Sequence, residues 1–186
     1  MTELFLGIDV GTSALKAVAI DASGAVRARA SAAYETLSPQ PGWTEQRPDD
    51  WWDACRAAIA ALSGQITLAD IAAIGLTGQM HGSVFLDAER NVIRPAIMWD
   101  DQRTAAEAAQ IEATVGVERL VRITGNRAFT GFTAPKLLWL RRNATISYKL
   151  LHHLLLPKDY LRLRLTGELP RRGTPVSLPP PRGPGR

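Results

Sequence analysis

Residues 4–34 leave the chain few ways to fold. Two apolar runs, LFLGIDV (4–10) and LKAVAID (15–21), stand only four residues apart. A parallel pair of strands needs a crossover of roughly a dozen residues or more, so these two must pair antiparallel across a tight turn at Gly11-Thr12-Ser13. A second turn signal, Ser23-Gly24, leads into AVRARASAAY (25–34), where small or apolar residues alternate with polar ones as on a half-exposed strand. The three segments are therefore expected to form an antiparallel meander.

Beyond Tyr34 the period changes. SPQPGWTEQRP (38–48) reads as a loop that ends in a proline suited to the first turn of a helix. Asp49, Asp50 and Asp53 then lie near the positive end of that helix. Trp52, Cys55, Ile59 and Leu62 recur at helical spacing, which predicts a helix over 48–63 closed by Gly64. IAAIGLTG (71–78) is a strand that comes after a helix, so a parallel partner among the earlier strands is expected. SVFLD (83–87) and RPAIMW (94–99) read as further short strands. Residues 100–114, 117–124 and 135–142 read as helices. KLLHHLLLPKDYLRLRLTGE (149–168) reads as two helices broken at Pro157, the second ended by Gly167. Three meander strands, a helix and a strand are the opening order of the ribonuclease-H-like fold of actin and hexokinases. By that analogy the chain is an α/β protein with a mixed sheet flanked by helices.

Composition sets the outer limits. A chain of 186 residues, 46% hydrophobic and 22% charged, can bury a core as an ordinary globular domain. Cys55 is the only cysteine, so no internal disulfide can form, which suits a reducing compartment. No apolar run approaches the ~20 residues of a membrane span. Asp9 interrupts the N-terminal apolar stretch, unlike a signal peptide, so a cytoplasmic protein that binds no membrane is expected. Charge is uneven. Residues 1–140 carry 12 Lys and Arg against 16 Asp and Glu, a net of −4; residues 141–186 carry 10 against 2, a net of +8. The basic end contains no aromatic residue after Glu168 for base stacking, and nucleic-acid binding is not expected.

Two segments carry chemistry. In GIDVGTSALK a carboxylate, Asp9, ends the first strand. Gly11 permits a sharp turn, Thr12 and Ser13 offer hydroxyl and N–H donors, and Lys16 adds positive charge. A metal–phosphate complex needs this combination of an oxygen ligand and anion donors. On the residues alone, an ordinary hairpin with a solvated aspartate is equally open. In LTGQMHG (76–82), Gln79, Met80 and His81 sit between Gly78 and Gly82 where a strand ends. On the residues alone, a core methionine beside a satisfied histidine is the commoner arrangement.

Asp9-x-Gly11-Thr12-Ser13-x-x-Lys16, then Thr77-Gly-Gln-Met-His-Gly82, then Met98-Trp-Asp-Asp-Gln-Arg103 resembles the FGGY carbohydrate kinases, over about Leu4 to Glu168. Gln79-Met80-His81-Gly82 is similar to the branch that phosphorylates D-xylulose rather than to the branches acting on glycerol or gluconate. The resemblance implies the N-terminal domain of a sugar kinase using Mg-ATP to phosphorylate the 5-hydroxyl of D-xylulose. It implies that Asp9 positions metal and phosphate as the catalytic and metal-binding carboxylate, and that Gly11, Thr12, Ser13 and Lys16 bind the nucleotide phosphates. Gln79, Met80 and His81 are implied to bind sugar, with Trp99 as a wall and Asp100 and Asp101 as acceptors for sugar hydroxyls. Arg103 is expected to orient a carboxylate, and Asp100 or Asp101 to cap a helix as well.

The resemblance fails after Glu168. The family places its proton-accepting aspartate in an Asp-Ala-Ser-Gly-Thr-like segment there, but LPRRGTPVSLPPPRGPGR contains no acidic residue and holds 6 of the chain's 12 prolines. Residues 1–168 are thus expected to be an incomplete kinase N-terminal domain and 169–186 a disordered tail, a basic extension or a frameshift product. The C-terminal kinase domain, with its adenosine site, is the implied missing partner, and a homodimer of the full-length protein is left open. The alternatives are a non-catalytic sugar-binding remnant of a pentulose kinase, or a kinase for another sugar such as ribulose, gluconate or glycerol.

Overall fold

The computed structural model describes residues 3–169; the expected tail lies outside them from Pro170 on. The chain divides into two compact units. The first holds residues up to Thr36, Arg47–Met80 and the segment beginning at Pro157. The second holds Leu37–Gln46 and His81–Leu156.

The first unit is a four-stranded mixed sheet with helices against one face. Strands β1 (Leu4–Val10), β2 (Ala14–Asp21) and β3 (Val26–Ala33) form the expected meander, with Asp9 opposite Lys16 and Lys16 opposite Ser31. The fourth sheet strand, Ile71–Gly78, lies parallel to β1 with Asp9 beside Thr77, as its position after a helix requires. The sheet order places β1 between β2 and this strand. Period-2 alternation decides which face is covered: Leu4, Leu6, Ile8 and Val10 are buried, while Phe5 and Gly7 are exposed.

Helix α1 (Pro48–Ser63) begins at the proline, with Asp49 and Asp50 in its first turn. Asp53 lies further in and pairs with Arg56, a surface contact of little energetic weight. The buried stripe is Trp51, Ala54, Cys55, Ala58 and Leu62. The face is thus rotated one residue from the expected one: Trp51 is fully buried and Trp52 is half-buried. Arg164 lies over the Trp52 ring, 5.0 Å from its centroid. Arg164 and the Tyr160 hydroxyl both donate to Asp49 at 2.7 Å, fixing the last helix of the chain, Pro157–Thr166, to the start of α1. Gly167 ends that helix with a left-handed φ of 72°, as its sequence position indicates.

Among the described residues the second unit has small paired strands and four helices. Strand β4 (Glu45–Gln46), inside the segment expected to be a loop, pairs antiparallel with Ala96–Ile97. After the Ile71–Gly78 strand, which is β5, the chain forms β6 (Val84–Leu86) and β7 (Ala96–Ile97). Helices α2 (Ala105–Val115), α3 (Val117–Thr124), α4 (Thr133–Asn143) and α5 (Thr145–Leu150) come next. Helix α2 starts five residues later than expected. Residues His153–Leu155 are strand β8, paired with β6, where a helix was expected. The run HHLLL suits either state, and an available strand edge at Val84–Leu86 decides it. Pro157 then opens α6 (Pro157–Thr166) rather than breaking a longer helix. Phe85, Ile97, Trp139, Leu140, Leu151 and Leu154 form this unit's core.

Candidate functional site

In the first unit, the turn between β1 and β2 is closed by the Gly11 amide donating to the Ala14 carbonyl at 3.2 Å. A Cβ on Gly11 would come within 2.9 Å of that same carbonyl, so the turn admits no side chain there without shifting. The Tyr34 hydroxyl donates to the Gly11 carbonyl at 2.5 Å, and the Tyr34 amide to the Ser13 carbonyl at 3.3 Å. Burial, and then the Asp9 carboxylate, raise the Tyr34 phenol well above its ordinary range, so it stays a donor. Asp9, Lys16 and Thr77 line an open groove of about 490 Å³ with Gly7, Val18, Gly75 and Leu76. Among the described residues, no cluster of three or more His, Cys, Asp and Glu is placed to hold a metal unaided.

Gln79 and Met80 end the middle segment of this unit. The Gln79 amide donates to Val10 at 2.8 Å, so β5 stays beside β1 to its end. Gly78 is closely packed: a Cβ would stand 3.1 Å from Val10, which would have to give by a few tenths of an ångström. Met80 is 71% exposed.

In the second unit, His81 carries a left-handed φ of 59°, rare for a residue with a Cβ. Such strain costs about 1–3 kcal/mol and persists only where surroundings enforce it. Two contacts do so. The imidazole stacks on Phe132 at 4.2 Å between centroids and 20° between planes. The His81 carbonyl accepts from the Lys136 ammonium at 2.6 Å and from the Ser83 hydroxyl at 3.3 Å. Burial, and then the Lys136 charge, lower the His81 pKa, so the ring is neutral near pH 7 and can both donate and accept.

Lys136 is fully buried on α4. Burial drives its pKa down to about 7, partly offset by Asp101 and Asp100. Its ordinary value is 10.5. Between those values the unfolded chain binds the proton and the folded chain releases it, so stability rises with pH; below about pH 7 the charge penalty is fully present. Relative to Lys136→Met, the unfolding free energy of the unmodified chain should climb between pH 7 and 10 by up to about 1.4 kcal/mol per unit. Urea unfolding of both proteins at pH 7, 8.5 and 10 checks this; parallel profiles would refute it.

The segment Trp99–Thr104 is clamped in place. Asp101 is fully buried, and both its oxygens are occupied: they accept from the Arg103 guanidinium and amide at 2.7–3.0 Å and from the Thr44 amide at 2.7 Å. Arg103 also reaches Glu45 at 2.7 Å, and Arg94 joins the same Glu45 oxygen. The Arg103 guanidinium lies 3.7 Å from the Trp43 centroid, and Trp43 meets Trp139 edge-on at 5.4 Å. Asp101 is therefore a buried anchor, which corrects its expected role as an acceptor for sugar hydroxyls. Neither Asp100 nor Asp101 caps α2, whose N-cap position is Thr104. Asp100 differs: its Oδ1 is buried with no hydrogen-bond partner. Trp99 is 48% exposed, and Phe129, 51% exposed, packs edge-on against Phe132 at 5.3 Å.

Residues 4–177 match the FGGY family of carbohydrate kinases, N-terminal domain. The chain belongs to the FGGY family of carbohydrate kinases. It is 46% identical over 165 residues to a xylulose kinase of Escherichia coli K12, covering 89% of this chain and 34% of that protein. The crystal structure of a xylulose kinase from Rhodospirillum rubrum superposes with a TM-score of 0.86 at 32% identity, covering 90% of this chain and 35% of that one. A gluconate kinase from Lactobacillus acidophilus gives 0.85 at 28% identity, over 91% and 34% of the two chains. The chain thus spans about a third of the length of these FGGY relatives, and shares the actin- and hexokinase-like fold of their N-terminal parts.

Several residues shaping the family's motifs here were not singled out from sequence. Tyr34 and Phe132 left no local trace. Lys136 did: a lysine inside FTAPKLLWL, on a helix that buries Trp139 and Leu140, has nowhere solvated to go.

Proposed function

We propose that this chain is the sugar- and phosphate-binding part of an ATP-dependent pentulose kinase whose substrate is D-xylulose. The observation that carries the reading is the His81 ring, held in a strained turn against Phe132. Strain maintained at a polar ring suits a residue that must meet a ligand hydroxyl in one orientation. In the second unit Trp99 supplies a flat face, and the unsatisfied Oδ1 of Asp100 an acceptor. D-Xylulose is favoured by the Gln79-Met80-His81-Gly82 sequence and by similarity to xylulose kinases of Escherichia coli and Rhodospirillum rubrum.

The first unit serves the phosphoryl donor. Thr12 and Ser13 present donors to phosphate oxygens, and Lys16 balances their charge. Tyr34 holds the Gly11 carbonyl away from the anion by keeping it hydrogen-bonded inside the turn. Asp9 suits a Mg²⁺ ion arriving with ATP, because such an ion takes one or two carboxylates and completes its shell with phosphate and water. When bound, that ion neutralises charge developing on the transferred group. The kinase N-terminal domain accounts for residues 1–168 in this reading. The nucleotide base site and the acceptor for the sugar hydroxyl proton belong to the remainder of a longer protein, acting in the cytoplasm.

Calorimetric titration of the 186-residue chain with D-xylulose, D-ribulose, D-gluconate and glycerol tests the reading. D-Xylulose should bind most tightly, and His81→Ala should weaken it at least tenfold, about 1.4 kcal/mol. Equal affinity of His81→Ala and the unmodified chain, or a preference for gluconate or glycerol, would remove it.

A further inference from the structure

We infer that Lys136 is a positioning residue for the sugar site, holding the His81 carbonyl so that the imidazole is presented in a single orientation. The inference rests on the reading of His81 as a sugar contact. The geometry is specific. A fully buried ammonium, 55 residues away in sequence, is aimed at the carbonyl of His81, the residue that carries the left-handed backbone. A charge-assisted hydrogen bond of 2.6 Å is short and strong, and it acts on the peptide plane just past the strained φ. Rotating that plane would break the bond and leave a buried amine without its acceptor, a cost of the same order as the strain it opposes. Phe132 fixes the ring from one side, and Lys136 fixes the backbone that carries it. Helix α4 starts at Thr133, directly after Phe132, so one helix end supplies both constraints.

The burial of a lysine otherwise has no use in this unit. Asp101 is already saturated by Arg103 and Thr44, and no hydrogen bond joins Lys136 to either aspartate among the described residues. An apolar side chain of the same length would fill the volume without the desolvation penalty. The groups that bear on the ammonium are Asp100 and Asp101, which favour its charge, and Arg103, which opposes it. The same ammonium disfavours protonation of His81.

The test uses the full 186-residue chain, D-xylulose as probe, and Lys136→Met, Lys136→Arg and His81→Ala. Lys136→Met should keep its circular dichroism spectrum and lose D-xylulose affinity about tenfold; Lys136→Arg, which retains a cationic donor, should recover part of it. In Lys136→Met the His81 imidazole should titrate at higher pH, read from its carbon-13 resonances, because the neighbouring charge is gone. That shift reports only that the ammonium stands beside the ring; the affinity loss in folded Lys136→Met and its partial recovery in Lys136→Arg carry the positioning role. Should Lys136→Met not fold, the unmodified chain decides: the His81 carbonyl carbon resonance should titrate together with the Lys136 ammonium. Wild-type affinity in folded Lys136→Met, with affinity lost in His81→Ala, overturns the positioning role and leaves the sugar reading standing. Independent titration of the carbonyl and the ammonium overturns the tie itself. Undiminished binding by His81→Ala removes the sugar reading, and the positioning role with it.

Discussion

Replacing Arg103 by methionine should destabilise the second unit by about 3–5 kcal/mol, the cost of leaving buried carboxylates without their cation. The side chains of Arg103 and Asp101 are essentially inaccessible, and that of Glu45 nearly so. Arg103 satisfies both carboxylates and fills the space against Trp43. Methionine matches much of that volume, so packing is nearly conserved and the change isolates the charge. Glu45 keeps Arg94, whereas Asp101 keeps only backbone donors, so Asp101 carries most of the penalty. Adding Asp101→Asn to Arg103→Met removes the stranded charge and should recover part of the loss. Denaturant unfolding followed by tryptophan fluorescence reads both proteins, since Trp43 and Trp139 border the cluster. A loss under about 1 kcal/mol would mean that the cluster behaves like a surface ion pair.

That cluster also shows what a single sequence conceals. Arg103 is expected from sequence to orient a carboxylate, and it does; its partner Glu45 lies 58 residues away and could not be read locally. Asp101 is indistinguishable from Asp100 in a string of letters. Three-dimensional context makes one a saturated anchor and leaves the other with a bare oxygen. Local rules served well where local physics decides. Four residues between two apolar runs permit only an antiparallel turn, and Pro48 with two aspartates after it marks the start of α1. They failed where a partner decides. Glu45–Gln46 became a strand because Ala96–Ile97 lay beside it, and His153–Leu155 became one because β6 had a free edge. The QMHG motif pointed to His81 but not to its backbone. The left-handed turn falls on the histidine rather than on either flanking glycine, and the residues that enforce it stand 51 and 55 positions further along.

Gly131→Ala should be the second most disruptive change, with an effect on His81 that no contact between the two residues explains. A Cβ at Gly131 would lie 2.0 Å from the Trp99 carbonyl oxygen, about 1 Å inside the closest approach real Cβ atoms make, so one of the two segments must move. Relative anchorage decides which. The Trp99 side is tied through Asp101 to a buried ion cluster worth about 3–5 kcal/mol when broken. The Gly131 side is held by the Thr104 hydroxyl on the Thr130 carbonyl and the Thr130 hydroxyl on Gln102, neutral bonds worth about 1 kcal/mol each. The 129–132 turn should therefore yield, carrying Phe132 off the His81 ring. Overpacking of this kind costs about 1–3 kcal/mol, at the upper end here because backbone meets backbone. The expected signature is a stability loss of about 2–3 kcal/mol with a smaller ring-current shift on the His81 imidazole protons and weaker D-xylulose binding. Retention of the wild-type ring-current shift alongside lost stability would show that the Trp99 segment moved instead, and that the ion cluster holds it less firmly than its burial implies.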